Sequence, residues 1–141
     1  SVWYPEQDLQ AMLRGLLALL PGNREETLAT LGAGVAREHL EGIYRRLLTG
    51  DTDQLVRRSV TLWESQHDSG AFAIRTEGPG RARFEVRDYA TPSHEMCSIL
   101  RGYIAETLRI AGNVDVAVEK QECVLRGADA CVWAATWTEP V

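Results

Sequence analysis

A change of hydrophobic period at Gly70 divides this chain into a helical half and a half that is mostly strand. Before it, Leu9, Met12, Leu13, Leu16, Leu17 and Leu20 recur on one helical face. Pro21-Gly22 ends that helix, because proline cannot continue it and glycine tolerates the left-handed exit. Asn23 then caps a second helix, with Glu26 in the capping-box position. Leu28 and Leu31 open its apolar face, and Gly32-Ala33-Gly34 is expected to bend or interrupt it. Ala36, Leu40, Ile43 and Leu47 form the next stripe, up to Thr49-Gly50, and a further helix from near Thr52 carries Leu55, Val56, Ser59, Leu62 and Trp63. Four helical pieces are expected here.

After Gly70, Phe72 and Ile74, then Phe84 and Val86, alternate with polar residues around the turn Glu77-Gly78-Pro79-Gly80, so residues 71–88 read as a β-hairpin. Thr91-Pro92 reads as the start of a long helix, with threonine as the cap. Met96, Leu100, Tyr103, Ile104 and Leu108 make its buried stripe, and Gly112 stops it. Val114, Val116 and Val118 alternate as a strand, Arg126-Gly127-Ala128-Asp129 turns the chain, and Cys131 to Thr138 alternates again. The expected fold is α+β, one domain over residues 1–141. N-terminal helices and one long C-terminal helix pack on a small antiparallel sheet of two hairpins.

No stretch approaches the roughly 18 apolar residues of a membrane span. A basic stretch followed by an apolar run is also missing from the N-terminus, so a cytoplasmic location is expected. The formal net charge of −5, with acidic residues interleaved among the arginines, excludes the clustered basic face that generic nucleic-acid binding needs. A Gly-rich phosphate cradle, a His-Glu-x-x-His helix and a nucleophile elbow are all lacking, and an enzyme is not expected.

Three cysteines, Cys97, Cys123 and Cys131, carry the chemistry that remains. An odd number argues against a closed disulfide framework. Cys97 lies near the start of the long helix, and Cys123 and Cys131 flank the last turn, so the sulfurs meet if the helix start packs on that end of the sheet. Thiolates with a histidine or carboxylate are a common zinc set. Core packing and a Cys123–Cys131 disulfide stay open as alternatives. Cys123 is out of phase with Val114, Val116 and Val118, and faces the core only if a bulge intervenes.

Pro92-Ser93-His94-Glu95-Met96-Cys97, then Leu100-Arg101-Gly102-Tyr103 and Ala111-Gly112, resembles the central helix of the 4-vinyl-reductase domain family. Glu122-Cys123, then Arg126-Gly127-Ala128-Asp129-Ala130-Cys131 with Trp133, resembles that family's terminal hairpin. These motifs span about residues 91 to 137, and the N-terminal helices match in pattern alone. The family includes sensory input domains of aromatic-responsive bacterial activators and accessory proteins of bacteriochlorophyll synthesis. Its fold is shared with subunits of the TRAPP vesicle-tethering complex. The resemblance implies a ligand-binding domain of the type found in NO signalling and Golgi transport. In phenol-sensing members three cysteines and a glutamate bind a structural zinc ion. The cysteines carry over to Cys97, Cys123 and Cys131, but the glutamate position holds Lys120, whose ammonium has no lone pair to give. His94, one helical turn before Cys97, is the chemical substitute, with Glu119, Glu122 or water as the other choices.

A sensor of small apolar or aromatic molecules needs aromatic pocket walls, for which Trp63, His67, Phe72, Phe84, Tyr103, Trp133 and Trp137 are the candidates. The function expected is a small-molecule sensor domain with a zinc site that signals through a homodimer, the first helix offering the dimer face, to an effector domain or partner protein. A ligand-free scaffold module and an accessory factor of tetrapyrrole metabolism are the alternatives.

Overall fold

The computed structural model describes residues 22–41 and 69–139, with single positions at 11, 12, 14, 15, 18, 57 and 67. Two helices and four strands follow in the order α1 (Arg24–Glu41), β1 (Ala71–Thr76), β2 (Arg81–Arg87), α2 (His94–Ile110), β3 (Val114–Glu122) and β4 (Cys131–Thr138). The strands form one open antiparallel sheet in the order β1-β2-β4-β3. Both expected hairpins are present, joined through β2 and β4, and the α+β class holds. The first-helix leucines, the Thr52 helix, and Trp63 among the pocket candidates lie outside the described residues.

α2 lies on the sheet, and α1 packs across the back of α2. Met96, Leu100, Ile104 and Leu108, spaced by four, are buried against Phe72, Phe84, Val86, Val118, Trp133 and Trp137. Tyr103, expected in the same stripe, instead turns toward Ala36 of α1. The expected break at Gly32 does not occur, since α1 runs unbroken from Arg24 to Glu41. Gly32 serves the crossing instead: a Cβ there would overlap the Ile99 carbonyl, and one at Gly102 would overlap the Ala29 carbonyl. The two backbones therefore touch, which only residues without side chains allow. Arg101–Glu26 (2.9 Å) and Arg37–Glu106 (3.4 Å) flank the crossing at its exposed rim.

The cap of α2 is Ser93 rather than Thr91. Its backbone is extended, and its buried hydroxyl accepts the Met96 amide at 3.0 Å. Helix α2 ends at Ile110, and Gly112 takes the left-handed conformation that the exit requires. Ser93→Ala is expected to cost about 1–2 kcal/mol, because a buried amide loses its acceptor. The check is a lower urea midpoint with an unchanged slope.

Strand β3 departs from simple alternation twice. Its register against β4 shifts between Val114 and Ala117, and again between Lys120 and Glu122. The first irregularity, with Asp115 at a φ of 52°, leaves Val114 exposed while Val116 and Val118 turn inward. The second inserts one residue between Lys120, opposite Trp133, and Glu122, opposite Val132. Lys120, before the shift, shares the inward face of Val118 by simple alternation, and the extra residue turns Cys123, three residues on, inward too.

Candidate metal centre and recess

Three elements deliver the cysteines. Cys97 follows Ser93 on the first turns of α2, its amide bonded to the Ser93 carbonyl at 3.1 Å. Cys123 leaves β3 just past the bulge and enters a short 3-10 turn, Val124–Arg126. The Cys123 carbonyl accepts from Arg126 (3.0 Å) and Ala128 (3.2 Å), and Gly127, at a φ of 94°, lets the chain return. Cys131 opens β4 on its inward face. The three sulfurs lie within 4.8 Å of one another, and the Cys97 and Cys131 sulfurs are 3.9 Å apart. All three cysteines are free thiols, Cys123 and Cys131 buried and Cys97 partly so.

Lys120, the only lysine of the chain, points its ammonium into this cluster. The Nζ atom is buried and stands 4.3 Å from the centre of the Trp133 ring. It makes no hydrogen bond of ordinary geometry among the described residues, and the sulfurs and the ring are what it faces. Burial pushes the Cys97 thiol up to about 12, helped by the neighbouring sulfurs and opposed by Lys120. Burial would raise Cys123 as well. The Leu125 amide, the Lys120 charge and hydrogen bonds from Cys131 and Cys97 outweigh it and hold Cys123 below the usual thiol value.

His94 sits at the first position of α2, exposed, and does not join the group of ligand atoms. Glu119 and Glu122 are exposed, and Glu122 pairs with Arg83 at 3.1 Å. Among the described residues, the three cysteines alone form a group that could hold a metal ion.

A recess of about 250 Å3 adjoins the cluster. Val86, Met96, Leu100, Val124 and Trp133 supply apolar wall, and Cys97 and Cys131 belong to that wall as well as to the cluster. Asp88 and Asp129 bring exposed carboxylates to it. Of the aromatic candidates, Trp133 lines the recess. Phe72 and Phe84 pack on each other in the core, ring centres 6.1 Å apart, with Trp137 buried beside them. Tyr103 faces α1, and His67 meets Tyr89 edge-on at 5.9 Å. Sequence reasoning passed over Val86, Met96 and Leu100 as wall residues. Their only signal was membership of an apolar stripe, which core residues share.

No protein-family model matches the chain, and no curated protein matches it significantly. Solved structures do match. An H-NOX protein from S. oneidensis, in the Fe(II) ligation state, superposes with a TM-score of 0.73 at 11% identity, over 99% of this chain and 77% of that one. A vinyl-4-reductase family protein from Methanocaldococcus jannaschii gives a TM-score of 0.62 at 14% identity, over 99% and 85%. The fold is shared with both. A trafficking protein particle complex subunit 3 from Naegleria fowleri, covalently bound to palmitic acid, shares it too, with a TM-score of 0.57 at 11% identity over 92% and 84%. The expected relation to the vinyl-reductase and TRAPP folds holds, and the H-NOX fold joins them.

Proposed function

We propose that this chain is a non-catalytic, cytoplasmic sensor domain. Its three cysteines hold a structural zinc ion beside a small-molecule recess, and occupancy of the recess is passed on through a homodimer. The observation that carries the reading is the double membership of Cys97 and Cys131, in the thiol cluster and in the recess wall. The donor set fits the ion: sulfurs about 2.3 Å from a tetrahedral zinc stand about 3.8 Å apart, close to the 3.9 Å between Cys97 and Cys131. Cys97, Cys123 and Cys131 would bind it as thiolates, tying the start of α2 to both ends of the last turn. Ligand in the recess would touch the same helix start, so a preference for one placement of α2 is what shifts the population of states.

The sensor reading is supported by the fold shared with H-NOX proteins, whose Fe(II) ligation states and haem distortion are the subject of the matched structures. Haem itself suits this recess less well. Neither His67 nor His94, the two histidines whose side chains are described, lines it.

Elemental analysis tests the metal. The purified protein is expected to carry about one zinc per chain, and Cys123→Ser to lose it with a fall in Tm. A fully folded, metal-free protein after expression in zinc-supplied medium would overturn the zinc site.

A further inference from the structure

Lys120 faces the three sulfurs from the inward side of β3, where it can neither ligate as an ammonium nor be hydrated freely. A divalent ion on three thiolates leaves one surplus negative charge, and the Lys120 ammonium cancels it. Balancing the charge in this way lowers the cost of burying the site. No carboxylate or histidine joins the group among the described residues, so three sulfurs fill three corners of a tetrahedron and the fourth stays available to an outside donor. Two of the three cysteines line the recess, together with the tryptophan whose ring carries Lys120.

We infer that the metal centre is open toward the recess, and that the ligand sensed there is a neutral, apolar nitrogen heterocycle that coordinates the ion directly. This rests on the metal reading above and adds the class of ligand. Three features select that class. Imidazole-type nitrogen suits a borderline-soft ion on thiolates. An anionic donor would restore the surplus charge that Lys120 removes, and it would pass the carboxylates of Asp88 and Asp129 on the way in. The walls of Val86, Met96 and Leu100 favour an apolar body behind the donor atom.

Cobalt makes the coordination visible. The protein is loaded with Co2+ in place of zinc and titrated with 4-phenylimidazole, and in parallel with phenylacetate. The d–d absorption of the cobalt protein is expected to shift and saturate with the azole and to stay unchanged with the carboxylate. Lys120→Glu places a carboxylate beside the sulfurs, and its cobalt spectrum is expected not to respond to the azole. Lys120→Gln removes the charge without adding a strong ligand, and keeps the response. A wild-type cobalt spectrum indifferent to the azole, or bleached by it, overturns the open position while leaving the three-thiolate centre standing. Failure to bind Co2+ at all overturns both. A response equal in wild type and in a folded Lys120→Glu protein counts against the role given to Lys120.

Discussion

Gly102→Ala is expected to destabilise the protein by about 2–3 kcal/mol, although alanine is the better helix former. The gain in helix propensity is about 1 kcal/mol. Against it stands the position of the new methyl group, which would fall on the Ala29 carbonyl of α1. That obstacle is backbone, and it cannot rotate away as the end of a flexible side chain would. Relief requires the two helices to separate, and separation loosens both layers that α2 holds together. On a domain whose whole stability is of the order of 5–15 kcal/mol, such a loss is read as a fall in Tm of about 10 °C.

Gly34→Ala supplies the control, on α1, the other helix of the crossing. A Cβ there meets only the tip of the Arg37 side chain, at 3.8 Å. The propensity term then acts nearly alone, and the variant is expected to be neutral or more stable by up to about 1 kcal/mol. A Gly102→Ala protein as stable as Gly34→Ala would mean that the backbones do not touch where the structure brings them together.

These glycines show where sequence reasoning stops. Turns and strand bounds were legible because their causes are local: Gly78-Pro79-Gly80 turns the first hairpin and Gly112 stops α2 through their own backbone preferences. The same local logic read Gly32-Ala33-Gly34 as a break, since glycine weakens an isolated helix. What Gly32 does depends on Ile99, far along the chain, and no window around Gly32 contains that partner. The cysteines were an intermediate case. Their approach followed from hairpin geometry, and the phase of Cys123 required a bulge, which the register shift at Lys120/Glu122 supplies. That shift brings Cys123 to the face that Lys120 already shares with Val118 by simple alternation, and so sets the ammonium beside the sulfurs. The recess was least legible, because a cavity is space left between elements and hydrophobic stripes do not report it.

Trp133→Ala is expected to cost about 3–5 kcal/mol, the largest effect of any single truncation proposed for this chain. Trp133 is 1% exposed, pairs with Phe84 of β2 and Lys120 of β3 across the sheet, and closes one wall of the recess. Its loss therefore empties the point where helix, sheet and cluster meet. The indole also carries a cost in the native protein, for its buried Nε1 has no hydrogen-bond partner among the described residues. Trp133→Phe keeps an aromatic face for Lys120, gives up some volume and removes that orphaned N–H. The two changes oppose each other, and the net cost is expected to stay below about 1.5 kcal/mol. Urea unfolding followed by circular dichroism separates the two variants. A double-mutant cycle pairing Trp133→Leu with Lys120→Met then isolates the contact between ring and ammonium, with an expected coupling of about 0.5–2 kcal/mol. Coupling near zero in metal-free protein would place the Lys120 charge on the sulfurs alone. The stability cost of Trp133→Ala would then belong wholly to packing, and the ring would serve the cysteine cluster only as the wall that keeps water from it.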